Sequence, residues 1–361
     1  MSKVHIIGGG PAGSIAAISA VRNGHDVIVS EEHHISGIPE NCSGLFSKDG
    51  LESLSQFIDY DNFIINPIYG ADIFVGNEKL SVRTHKPVGF VCDRSLMDQE
   101  LAETAVREGA KINYNEHVSS SDSFCSDNII GADGPMSFVA RYFGFSKIPT
   151  YASALQAMVD YHSESPGIVK VYLSNEIFPG FFGWIIPHDE YTAEIGCGVV
   201  LPNNISSSWN WFLKFLKIPA STKPKGAIIP IRLRPQTSMK KGKQNIILAG
   251  DAAGQVKATT GGGVIFGGNC AALAGKYATS PLLYETAWRS RYAADLFLHQ
   301  EIHKHISGMS DTTLHAFGRK LRELHFDDYL SRHGHMDKPT RMLHPYALLY
   351  SLGEMAGVRP E

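Results

Sequence analysis

A chain of 361 residues, 43% of them hydrophobic, is long enough to bury a large core and to divide into two or three packed units. Its formal charge of -3 comes without a polybasic tract, which argues against a nucleic-acid partner; Lys240, Lys241 and Lys243 read as a solvated loop before a strand. The first apolar strand opens at residue 3 or 4 and no apolar run approaches the roughly 18 residues that span a bilayer, so the expected location is cytoplasmic, with contact on the inner membrane face as a peripheral option.

The five cysteines, Cys42, Cys92, Cys125, Cys197 and Cys270, contain no C-x-x-C pair, so neither zinc nor an iron-sulfur cluster is suggested and reduced, buried thiols are expected. His299 and His303 stand four apart, but the glutamate of an H-E-x-x-H site is misplaced, and no metal is expected.

Residues 4–7 form an apolar run suited to a buried parallel strand, followed by Gly8, Gly10 and Gly13 in G-x-G-x-x-G spacing. Residues 14–21 then read as a helix of small and apolar residues, Asn23-Gly24 ends it, and residues 26–29 form a second strand closed by Glu31. The first glycine permits the tight turn, the second lets backbone approach a pyrophosphate, and the third lets helix and strand pack closely; an acid at the second strand's end can accept ribose hydroxyls. A dinucleotide site follows.

Residues 33–55 read as irregular, with Cys42 and Ser43 in ENCSGLFSKDGL, before an apolar segment with helical character. Residues 69–75 and 79–84, split by Gly76-Asn77, read as a hairpin leaving the nucleotide unit. Arg94 leads into a helix whose apolar spacing is read as Leu96, Leu101, Ala105 and Val106 and whose end is Gly109; residues 111–114 return to the sheet. After the short polar stretch that begins at Val118, residues 129–131 form a strand ending in Asp133-Gly134. Residues 154–198 are rich in β-branched and aromatic residues between turns, the pattern of an antiparallel sheet covering a pocket. Residues 209–216 read as a helix, 227–231 and 245–248 as strands, and Gly250-Asp251 ends the last of these. Gly261, Gly262 and Gly263 open a helix of small residues, and everything from Pro281 reads as helical.

The fold expected is α/β, or α+β overall. A Rossmann-like nucleotide-binding domain is assembled from residues 1–66, 88–150 and 236–280, an antiparallel substrate sheet from 67–87 and 151–235, and a helical region from 281–361.

Three strand ends, at the N-terminal turn, at Asp133-Gly134 and at Gly250-Asp251, together resemble the FAD-dependent p-hydroxybenzoate hydroxylase superfamily. Within it, GDAAGQVKATTGGGV, CSGLFSK from Cys42 to Lys48, FGWIIP from Phe182 to Pro187, and YETAWR and MSDTTL resemble the geranylgeranyl reductase family, including its digeranylgeranylglycerophospholipid reductases, nearly end to end. The resemblance implies FAD as cofactor, with Gly8, Gly10, Gly13, Glu31, Cys42, Ser43, Arg94, Val118, Asp133, Gly250, Asp251, Gly262, Gly263 and Val264 about it. It also implies hydride transfer from the reduced flavin to isolated double bonds of a geranylgeranyl lipid, with Cys42 and Trp184 as the residues in the chemistry.

A hydrocarbon substrate calls for an apolar channel, and Phe178, Phe181, Phe182, Trp184 and Ile186 are its candidate lining. The electron donor stays open between NADPH or NADH and a ferredoxin-like protein, because there is no second dinucleotide fingerprint; a monomer touching the membrane surface transiently is expected. Phe182 and Ile186 stand where the family usually has tyrosine and phenylalanine, Ala258 where it commonly has proline, and the short interval from Val118 to Gly131 implies a missing β-meander. The rival readings are a flavin-dependent monooxygenase or a halogenase, whose W-x-W-x-I-P motif is one residue from FGWIIP, and a flavin-binding module without catalysis.

Overall fold

The computed structural model describes residues 1–40, 42–120 and 123–342. The chain opens with strand β1 (Lys3–Ile7), helix α1 (Pro11–Arg22) and strand β2 (Asp26–Ser30). Pro11 starts the helix at a position where its missing N–H is no loss, and Asn23 caps the other end. The next stretch is more regular than its composition suggests. Strand β3 (Leu45–Ser47) runs directly into helix α2 (Lys48–Leu54), because the Ser47 hydroxyl accepts the Gly50 N–H and caps the helix within a segment expected to be irregular.

Strands β4 (Ile64–Ile68), β5 (Gly70–Val75), β6 (Glu78–Arg83) and β7 (Gly89–Cys92) follow, then helix α3 (Arg94–Glu108) and strand β8 (Lys111–Asn113). Asp93 caps α3 through the Leu96 N–H and Gly109 ends it in the left-handed region. Its buried stripe is Met97, Leu101, Ala102 and Ala105, while Leu96 and Val106 are about half exposed, a rotation of the face expected from the apolar spacing. Strand β9 (Asn128–Gly131) comes next, with no strand between β8 and β9 among the described residues.

Helix α4 (Phe138–Phe143) leads to the strands β10 (Tyr151–Asp160), β11 (Ile168–Leu173), β12 (Gly183–Pro187) and β13 (Thr192–Val200), helix α5 (Ile205–Leu216) and strand β14 (Lys225–Pro230). Strands β15 (Ser238–Lys241) and β16 (Gln244–Leu248) precede the helices α6 (Val264–Lys276), α7 (Pro281–Ser307), α8 (Asp311–Glu323), α9 (Phe326–His333) and α10 (Pro339–Met342).

The first sheet has the order β15-β16-β9-β1-β2-β8, parallel except at the β15 hairpin, so β1, β9 and β16 lie side by side. All three sequence signatures therefore end at one edge of one sheet. Helices α1 and α6 pack over it at very short range: a methyl group at Gly275 would fall 2.3 Å from the Ala16 carbonyl oxygen, and Ser19 donates to the Ala272 carbonyl at 2.6 Å. The second sheet, β14-β10-β13-β12-β11-β5-β6, is antiparallel apart from the parallel β11–β5 pair, and a small sheet β3-β7-β4 adjoins both units. No helix among the described residues is long and apolar enough to cross a membrane.

Candidate functional site

The turn after β1 is closed by contacts that only glycine permits. Gly8 has φ +97°, and a methyl group there would lie 2.4 Å from the Ala132 carbonyl oxygen just beyond β9; one on Gly13 would lie 1.8 Å from the Gly8 carbonyl. At Gly10, the N-cap of α1, the space is open. That leaves a helix N-terminus without a side-chain cap, its first N–H groups and positive dipole end beside open space, an arrangement that suits a phosphate. Glu31, buried at the end of β2, accepts the Gly9 N–H at 2.6 Å on Oε2, and the His33 N–H and Nδ1 at 2.9 and 2.6 Å on Oε1. The acid thus braces the glycine turn, and its remaining lone pairs stay available to a hydroxyl.

Asp133 turns its carboxylate away from that edge to cap α4, accepting from Ser137 Oγ at 2.6 Å and Val139 N at 2.9 Å. Its backbone, rather than its side chain, borders the Gly8 turn. Val118 packs in the core with Ile7 and Ile129. Arg94 is buried at the head of α3 and grips both oxygens of Asp98 at 2.7 to 3.1 Å, with its charge beside the half-buried Cys42 thiol. Burial pushes the Cys42 thiol up while the Arg94 charge opposes the shift, so the thiol is held protonated at neutral pH. Ser43 sits beside it, half-buried.

At the end of β16, Gly250 has φ +65° and its Cα lies 3.0 Å from where a Gly267 methyl would stand. Gly263, the N-cap of α6, faces the Asp251 carboxylate so closely that a side chain there would meet Oδ1 at 2.7 Å. Burial raises Asp251 to about 6, with the charge of Arg94 opposing. Gly262 faces Lys257, half-buried Val264 begins α6, and the buried Lys257 ammonium pairs with Asp337 at 2.5 Å. Asp337 also accepts the Ser47 hydroxyl. Sequence reasoning missed this triad, whose members stand 80 and 290 positions apart; the one local signal is a lysine inside GQVKATTGGG. His299 shares a 2.7 Å hydrogen bond with Thr259 Oγ1, and His303 Nε2 donates to the Gly180 carbonyl at 2.8 Å.

The second sheet turns one apolar face toward these glycines. Along β12 and β13, Trp184 stands opposite Gly196 and Ile186 opposite Glu194. Phe181 stacks on Phe182 at 4.4 Å, and a methyl at Gly261 would lie 3.2 Å from the Phe181 ring, so the glycine turn and this face touch. Phe178, expected in the same pocket, is elsewhere. It is fully buried on the opposite side, edge-on to Phe212 at 5.4 Å beneath α5, with Cys197 and Ile195. It precedes the strand, so its ring direction is set by the loop rather than by the alternation that places Trp184 and Ile186. Two polar residues on the apolar face, Gln156 and Glu194, escaped the sequence reading, although the alternation in TAEIGCGVV sets Glu194 opposite in phase to the buried Ile195 and Cys197.

The domain described as the geranylgeranyl reductase catalytic domain matches residues 150–233, the second sheet from just before β10 to just past β14. Among relatives, the digeranylgeranylglycerophospholipid reductase of Methanosarcina acetivorans is 28% identical over 90% of this chain and 89% of its own length, and that of Methanocaldococcus jannaschii is 25% identical over 89% and 90%. Among solved structures, a geranylgeranyl bacteriochlorophyll reductase-like protein from Thermoplasma acidophilum superposes with a TM-score of 0.78 at 22% identity, covering 99% of this chain and 97% of its own. The flavin-dependent halogenase CmlS superposes with a TM-score of 0.57 at 16% identity, over 94% of this chain and 66% of its own.

Proposed function

We infer that this chain, whose residues 150–233 match the geranylgeranyl reductase catalytic domain, is an FAD-dependent oxidoreductase that saturates carbon-carbon double bonds of prenyl chains in ether-lipid synthesis. The observation that carries the reading is the meeting of a glycine-built sheet edge with the apolar face bearing Trp184 and Ile186.

The residues present fit the dinucleotide. Open space at Gly10 before the α1 N-terminus suits the pyrophosphate, Glu31 and Asp251 offer carboxylates to ribose and ribityl hydroxyls, and the bare backbone at Gly262 and Gly263 leaves room for a flat ring against the start of α6. Bound and reduced, the flavin would supply a hydride, a proton carrying two electrons.

The chain's own groups do the rest. The positive end of α6 favours the negative charge of the reduced ring, and the face of Phe181, Phe182, Trp184 and Ile186 receives hydrocarbon and excludes water. Arg94 sets its charge beside the Cys42 thiol. Electrons arrive from an outside donor, NADPH or NADH or a ferredoxin-like protein, and parallel assays with each separate them.

The deciding experiment is anaerobic. The holoenzyme is reduced with dithionite, a geranylgeranyl lipid is added, and flavin absorbance is followed together with product mass. Reoxidation with a gain of two hydrogens per double bond is expected. A flavin that stays reduced until oxygen is admitted would replace this reading with a monooxygenase or halogenase.

A further inference from the structure

Saturating an alkene takes a proton as well as a hydride, and among the described residues the apolar face carries one buried acid. Glu194 lies in β13, opposite Ile186 on one neighbouring strand and Met158 on the other, and is 8% exposed. The Trp184 indole lies against it, yet neither Trp184 Nε1 nor Glu194 Oε1 has a well-formed hydrogen bond. A buried carboxyl oxygen without a partner is costly, and an aliphatic side chain would fill the same position better. The groups facing it from the surrounding elements are Glu40, Lys225 and Cys42. Lys225 reaches Glu40 at 3.4 Å and Arg94 is engaged by Asp98, so among the described residues no cation is bonded to Glu194.

We propose that Glu194 is the proton donor of the saturation: a buried carboxylic acid on the hydrocarbon-binding face, with the Trp184 indole against it and, among the described residues, no ion-pair partner. The inference rests on the prenyl-reductase reading. As the hydride goes to one alkene carbon, the Oε1–H bond breaks and its proton forms the C–H bond at the other. The carboxylate left behind takes a proton from water at the sheet's rim, where Met158 and Lys225 are exposed. Cys42 is the rival acid on the same border, beside the Arg94 charge, and the test below separates the two.

The protonation state supports the geometry. Burial raises Glu194 to about 8, so the acid is neutral at pH 7. Because the folded protein holds a proton there that the unfolded chain releases in the ordinary glutamate range, stability must fall as pH rises from that range to about 8 and level off above it. Glu194→Gln removes this slope, a readout independent of turnover.

The test is a single turnover of prereduced holoenzyme with a geranylgeranyl lipid from neutral to alkaline pH. Wild type should lose rate above about 8, while Glu194→Gln should be slower by about a hundredfold or more, with that pH dependence gone and flavin content and dithionite reduction unchanged. Glu194→Asp should recover part of the rate. A Glu194→Gln enzyme at wild-type rate, or one slowed with its pH profile intact, overturns the proposal and leaves the reductase reading standing; so does a rate lost in Cys42→Ser and not in Glu194→Gln. A wild type that converts no prenyl chain at all overturns the functional reading, and the proposal with it.

Discussion

The two sheets bring different material to the proposed site. The parallel sheet presents backbone at its edge: the Gly8–Gly13 turn, Gly250 and Gly263 approach neighbours so closely that a methyl group would collide with a carbonyl or carboxylate oxygen or a neighbouring Cβ. The antiparallel sheet presents side chains, with Trp184, Ile186, Gln156 and Glu194 projecting from an otherwise plain ladder. A site built from backbone has one acceptable residue at each contact, whereas a site built from side chains can change shape by substitution without losing its fold. The first sheet is therefore expected to fail outright when altered, and the second to change what it accepts.

The largest effect should come from Gly13→Val. The added carbon would stand 1.8 Å from the Gly8 carbonyl oxygen, so the turn between β1 and α1 cannot close. The expected outcome is loss of flavin absorbance and of cooperative unfolding. A yellow, cooperatively folding variant would break the contrast at its strongest point.

Next is Asp337→Asn, which strands the buried Lys257 ammonium beside the Gly262 turn and should cost about 3–5 kcal/mol. Burial works to raise Asp337, but Lys257, with help from Ser47, outweighs it and holds the carboxyl below the usual aspartate range. The stabilisation is thus complete above the usual range and lost as pH falls through the lowered folded value. Denaturant titrations of wild type and variant should converge on acidification, and a constant gap would refute the pairing. Smaller again is Glu31→Ala, which removes the acceptor for Gly9 N–H and should weaken flavin retention by about 1–3 kcal/mol, read by equilibrium binding to apoprotein.

These differences explain what could be read in advance. The βαβ unit, the Gly250-Asp251 strand end and the α6 start were legible because glycine spacing and apolar runs are local records of backbone geometry. The triad of Ser47, Lys257 and Asp337 was not, since nothing local connects a serine, a lysine and an aspartate so far apart. Residues 45–54 read as irregular by composition up to an apolar segment of helical character, while the Ser47 hydroxyl starts the helix already at Lys48. On the second sheet, strand identity was legible from β-branched residues, but the assignment of aromatic rings to one side or the other depends on the loop before β12, as Phe178 shows.

The finest test separates the two sides of that second sheet. Phe178→Leu removes a ring packed against Phe212 and Trp211 beneath α5, at a cost of about 1–1.5 kcal/mol in a near volume-conserving change. Ile186→Val deletes one methylene on the opposite side, the proposed hydrocarbon face, and should cost about 0.5–1.5 kcal/mol. Their stability effects are thus similar and their Tm shifts should nearly coincide, which makes stability useless for telling them apart. Product distribution is the discriminating measurement: partially saturated prenyl chains should change in proportion for Ile186→Val and stay as in wild type for Phe178→Leu. If Phe178→Leu alters the products instead, the ring does reach the substrate, and the division of the sheet into a structural and a substrate face has to be redrawn with α5 as part of the pocket wall.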